Sequence, residues 1–214
     1  MFSNRTLYTN QAQRTIFIAI PNMGTVATSL ALRMVRWSKD PRFKVQFYAP
    51  SFIRPIPAAR NAIVENFLRS GFEYLLMIDS DVVPPENILD LALLNLDIVA
   101  APCPVFKDGF VILLVLREAG DEPGFKVFEE IPVGRLLEVD ATGTGCMMIH
   151  RRVFEALDKP YFKFVMDDEG NLFMGEDFDF CVRARERGFK VYVHTGYLCE
   201  HWHNVNLAQF LRRD

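Results

Sequence analysis

The sequence predicts an α/β fold: one domain with a mixed, mostly parallel central sheet, helices on both faces and a doubly wound first half. Three observations predict it. Strand and helix periodicities alternate from Thr15 to Leu94, the order that makes βαβ units. The run Tyr74 to Ile78 is apolar throughout, as a strand covered on both faces requires. The chain has 214 residues, 50% hydrophobic and 24% charged, which is enough to close one core and excludes a disordered chain.

Each element follows from local chemistry. Thr15 to Ile20 is a β-rich run that stops at the turn cluster Pro21-Asn22-Met23-Gly24. Thr25 to Trp37 sets Leu30, Met34 and Trp37 at helical spacing, and Lys39-Asp40-Pro41 ends it. Lys44 to Tyr48 is a second strand, and the prolines between Ala49 and Pro57 make that stretch irregular. From Ala58, the spacing of Ile63, Val64, Phe67 and Leu68 predicts a helix closed by Ser70-Gly71. The strand Tyr74 to Ile78 ends at Asp79-Ser80-Asp81. After Pro84-Pro85, Glu86 to Leu94 reads as another helix. The second half differs: strands are expected at Asp97 to Ala101, Phe110 to Arg117, Phe125 to Glu129, Leu136 to Ile149 and Lys190 to Val193. Helices are expected at Arg152 to Leu157 and Glu176 to Arg187. No linker, repeat or low-complexity segment divides the chain, so one domain over 1–214 is expected.

A net charge of −3 argues against clamping a nucleic-acid backbone by bulk electrostatics. The longest apolar run, Phe110 to Leu116, is far short of the ~20 residues that span a bilayer, and Met1 to Arg14 carries no signal-like stretch. The four cysteines form no CxxC pair, which fits a reducing compartment and a cytoplasmic protein.

Asp79-Ser80-Asp81 carries the chemistry most plainly. Ligands of open α/β sheets bind outside the carboxyl ends of the strands, and two carboxylates there cost folding energy unless a cation sits between them. Hard oxygen ligands suit Mg²⁺ or Mn²⁺ sharing phosphate oxygens. The plain structural alternative is a loop whose acids cap a helix or face water. Glu176-Asp177 opens a helix on which Asp177 shares the face of Cys181 and Ala184, poised as a general base, while Asp179 and Arg183 are expected to point away. Acids also favour a first helical turn through the dipole alone, which accounts for Glu176. Arg60 precedes an apolar stripe and should emerge near the strand ends, where it suits a phosphate or a carboxylate such as Asp79. A structural ion pair is the equal alternative. His201 or His203 could complete a metal site with carboxylates, His201 being preferred, and Thr142-Gly143-Thr144-Gly145 permits close backbone approach to a ligand.

Taken in order, PIPAARNAIVENF, LLMIDSDVVPP, VDATGTGCMMIHRRVFEAL, GEDFDFCVRARERGFKVYVH and CEHW resemble glycosyltransferases of the GT-A fold, close to the family 2-like group. The resemblance runs from Thr15 to Trp202. It implies a Rossmann-like nucleotide-binding first half and a UDP- or GDP-sugar donor over a divalent ion, Mn²⁺ or Mg²⁺. Asp79 and Asp81 match the DxD carboxylates, with Asp81 the more direct metal ligand, Asp79 nearer the ribose and Ser80 between them. Asp177 matches the base of the acidic pair Glu176-Asp177, and His201 the late metal-binding histidine. Pro21 and Asn22 fall where the first loop touches the nucleotide, and Arg60 and Asn61 match the segment near the donor. The acid that often reads the base is replaced here by Tyr48-Ala49-Pro50-Ser51. The absence of a long C-terminal extension and of transmembrane helices favours transfer of a single sugar, with the acceptor and the stereochemistry open. Two alternatives stand beside this: a haloacid-dehalogenase-type phosphohydrolase using Asp79 and Asp81, and a non-catalytic nucleotide-sugar binder.

Overall fold

The computed structural model describes residues 13–107, 109–120 and 124–203; the polar N-terminal segment expected to lack a signal stretch falls largely outside them. The elements run β1 (Arg14–Ala19), α1 (Thr28–Trp37), β2 (Phe43–Tyr48), α2 (Ile56–Ser70), β3 (Tyr74–Ile78), β4 (Val82–Val83) and a 3₁₀ segment, Ile88–Leu94. Then come β5 (Ile98–Ala100), β6 (Pro104–Lys107), β7 (Phe110–Leu113), β8 (Leu116–Glu118), β9 (Phe125–Val127), β10 (Leu136–Val139) and β11 (Cys146–His150). The rest is α3 (Arg151–Ala156), β12 (Val165–Met166), β13 (Leu172–Met174), α4 (Glu176–Glu186), β14 (Val191–His194) and β15 (Glu200–His201).

Seven strands form the central sheet in the order β10-β14-β5-β11-β3-β1-β2. The first half is parallel, as the βαβ pattern predicts, with β1 between β2 and β3. β11 is antiparallel to both of its neighbours, β3 and β5, and β10 is antiparallel to β14. Alternation along these strands feeds two cores. Phe17, Leu75, Met77 and Met147 pack under α2, α3 and α4, whereas Ile16, Ile18, Leu76 and Met148 pack under α1 and the 3₁₀ segment.

Several expected boundaries are corrected. Phe110 to Arg117 is two strands, because the Val115 N–H turns back to the Leu113 carbonyl at 2.9 Å and the chain changes partner there. Leu136 to Ile149 is also two, β10 and β11, separated by the turn through Gly143 and Gly145. Glu86 to Leu94 is not an α-helix: after Pro84-Pro85, Ile88 donates to Pro85 and Asp90 to Asn87, the tighter spacing, and Asn95 ends the segment in the left-handed region. No helix among the described residues is long and apolar enough to cross a membrane.

Candidate active site

The carboxyl ends of β1 and β3 open onto one cleft. β3 delivers Asp79, whose N–H donates to the Gly145 carbonyl at 2.9 Å as β11 enters the sheet beside it. Pairing of β15 with β4 sets His201 opposite Val82, and the Trp202 N–H donates to the Asp81 carbonyl, so the C-terminal CEHW segment folds back onto the DxD turn. The first cavity, about 420 Å³, is lined by Pro21, Asn22, Ser80, Asp81, His201 and the loop Ile53 to Ile56. A second, about 160 Å³, lies beside it against Thr144, Gly145 and Asp177. Arg60, Asp79 and His201 line both.

Arg60 organises the acids. Its residue is only 5% exposed, and the guanidinium pairs with Glu176 through Nη1 and with Asp79 Oδ1 through Nη2 at 3.2 Å. Of the two alternatives open for Arg60, the ion pair with Asp79 is therefore formed. Glu176 is buried beneath this guanidinium and lines neither cavity. Two carboxylates of the cleft have no arginine partner among the described residues. Asp81 is half exposed, with Oδ2 at 3.5 Å from His201 Nε2. Asp177 is recessed in the smaller cavity, its pKa raised to about 6 chiefly by burial; Arg60 pulls it down and Glu176 pushes it back up.

His201 is oriented for a ligand. Its Nδ1 lies 2.7 Å from the Pro104 carbonyl, which can only accept, so Nδ1 carries a hydrogen and Nε2 faces Asp81. His203 Nε2 lies 3.3 Å from the same Nδ1. Among the described residues no group of three or more His, Cys, Asp or Glu side chains is arranged to hold an ion unaided. The donor set in the cleft is smaller: one carboxylate and one imidazole. That fits Mn²⁺ or Mg²⁺, which fill most positions with water and phosphate oxygens.

Asn22 lines the larger cavity, but its amide donates to the Ile20 and Pro50 carbonyls and its Oδ1 accepts from Gly24 N–H and Ser51 Oγ, so the side chain is spent on shaping the loop. Asn61 lies outside both cavities. Its amide ties α2 to the Phe162 backbone in both directions and to the Pro57 carbonyl. Asp179 does not point away, as the helix spacing predicts; it is 6% exposed. It accepts from Arg183, whose Nη2 donates in turn to the Tyr161 carbonyl, because the loop around Tyr161 packs on that side of α4. Gly145 sits at a close approach: a Cβ there would stand 3.2 Å from Cys103 Sγ, a tight contact, and 3.6 Å from Asp79 Oδ2. At Cys103 a hydrogen bond with Cys199 and then burial push the thiol pKa well up. Ile53 and Arg54, which line the larger cavity, carry no motif signal beyond their place in the proline-rich loop before α2, and Met23 none beyond its place in the turn after β1.

No protein-family model and no curated protein matches the chain. Solved structures do. A197 from STIV is 21% identical, with a TM-score of 0.62 over 90% of this chain and 87% of that one. GalNAc-T7, solved with UDP, GalNAc and Mn²⁺, is 11% identical, with a TM-score of 0.54 over 93% of this chain. The match covers 45% of the GalNAc-T7 chain, so the present chain spans under half of it. These likenesses show the fold: a GT-A-like mixed α/β architecture.

Proposed function

We propose that the chain, as one domain over 1–214, is a glycosyltransferase moving a single sugar from a nucleoside-diphosphate sugar to an acceptor hydroxyl with a divalent ion bound. The observation that carries this reading is the partition made by Arg60, which leaves one free carboxylate in each of two adjoining cavities on a GT-A-like fold. GalNAc-T7, similar in fold, was crystallised with UDP and Mn²⁺, which supports the donor class. Asp81 and His201 would hold the ion, and when bound it supplies charge neutralisation to the departing diphosphate. Pro21, Asn22 and Ser80 shape the floor for the nucleotide, while Arg60 holds Asp79 toward the ribose side. Asp177 takes the acceptor proton in an inverting transfer; its raised pKa keeps it basic enough for that task near neutral pH. In a retaining transfer the same carboxylate stabilises charge on the sugar. All four cysteines are free thiols, which suits work in a reducing cytoplasm.

Calorimetric titration with UDP and GDP, each with and without Mn²⁺, tests the reading. One diphosphate is expected to bind, more tightly with metal, and Asp81→Asn should erase the metal's increment. No nucleotide binding, together with turnover of a simple phosphate ester, would overturn it.

A further inference from the structure

One cation in the larger cavity has no part in the reading above. Arg54 is exposed at the mouth of the cleft, and among the described residues its contact is a donation from Nε to Met23 Sδ at 3.4 Å. Among the described residues no carboxylate pairs with it, although Asp79 and Asp81 line the same cavity; Asp79 is held by Arg60, and Asp81 stands beside His201.

The chain then enters α2, a helix of 15 residues with Pro55 as its N-cap, no capping side chain and no acid in the first turn. Ala58 N–H turns back to the Pro55 carbonyl and Pro57 has no N–H, while Ile56 N–H has no acceptor within the helix. Pro55 and Ile56 both line the cavity. One turn further in, Arg60 Nε is buried and without a hydrogen-bond partner among the described residues, on a side chain that lines the same space.

An unpaired guanidinium and an uncapped positive helix end at one cavity are donors awaiting an anion. We infer that Arg54, with the N-terminus of α2, forms an arm that binds a phosphate or diphosphate group directly, without a metal. The fork of a guanidinium matches two phosphate oxygens, and a helix N-terminus favours negative charge. The site itself rests on the cavity and its donors; only the identity of the phosphate, as the nucleotide's, rests on the function proposed above. In a sugar transfer the contact would strengthen as charge builds on the leaving diphosphate, so the arm would share that burden with the ion.

The test uses inorganic pyrophosphate in EDTA, titrated into the wild type, Arg54→Gln and Arg54→Lys. The exposed position keeps folding out of the result, which melting curves verify. Wild type is expected to bind, Arg54→Gln to bind about tenfold or more weakly, and Arg54→Lys to fall between, having charge without the fork. Equal affinity in wild type and Arg54→Gln, or no metal-free binding by wild type, overturns the arm. Parallel titrations with UDP and GDP separate the two readings. Pyrophosphate binding lost in Arg54→Gln, with no nucleotide bound by wild type, keeps the arm and sinks the donor assignment. Metal-dependent nucleotide binding that Arg54→Gln leaves unchanged, with pyrophosphate also unchanged, does the reverse.

Discussion

The two acidic pairs of the site, Asp79/Asp81 after β3 and Glu176/Asp177 at the start of α4, are alike in sequence and unlike in state. Arg60 takes one member of each, Asp79 and Glu176. Of the two left over, Asp81 meets solvent and an imidazole, whereas Asp177 is recessed and holds its proton up to about pH 6. Environment, not residue type, separates a carboxylate fit for a cation from one fit to take a proton. One guanidinium therefore sets the division, by pairing with one acid of each pair.

The comparison breaks most sharply at Asp177. Asp177→Asn should lower transfer by about 100- to 10,000-fold, and the wild-type rate should rise with pH through about 6. The same variant should be more stable at pH 8. A carboxyl whose folded pKa is raised contributes fully below its unfolded value and loses that contribution as pH rises through about 6, so Asn removes a penalty of about 2–3 kcal/mol. Urea unfolding at pH 5 and pH 8 checks the sign: the gain must be larger at pH 8. Next comes Arg60→Ala, which strands buried Glu176 and should cost about 3–5 kcal/mol in the same assay. A cost under about 1 kcal/mol would mean that the acids do not need their shared partner. Asp81→Asn should leave folding alone and weaken nucleotide binding in Mn²⁺ by about tenfold or more, with no change in EDTA. The smallest effect sharpens the contrast: Asp179→Asn, in the same helical turn as Asp177, should cost about 1–2 kcal/mol of stability and leave nucleotide binding untouched.

Legibility in the sequence followed how local the cause was. Tyr74–Ile78 matches its expected bounds because five apolar residues meet acids at one end, and α2 could be placed from its stripe and Gly71. Asp81 and His201 could be named separately, but their meeting depends on β15 pairing with β4, a contact across the length of the chain. Asp179 could not be placed, because helical spacing fixes only direction; the loop around Tyr161 that buries it comes from tertiary packing. An available sign was the i,i+4 spacing of Asp179 and Arg183, which marks a structural pair. Asn61 sits in a motif-like segment yet ties α2 to the Phe162 backbone, since a short sequence does not say which neighbour an amide will find. The splitting of the strands around Leu114 and Gly143 likewise reflects a change of partner, which apolar content does not encode.

The antiparallel seat of β11 has a consequence for the growing polypeptide. On the ribosome, β1, β2 and β3 can assemble early, but the second edge of β3 is claimed only by residues 146–150. Everything from Asp79 to Gly145 must be synthesised first, several seconds at ~5–20 residues per second. Through that interval the nascent chain carries an open, wholly apolar strand edge, a template for pairing with other chains. Truncation before Cys146 should therefore yield aggregates rather than a smaller soluble unit, and holdase chaperones should engage the chain during that window.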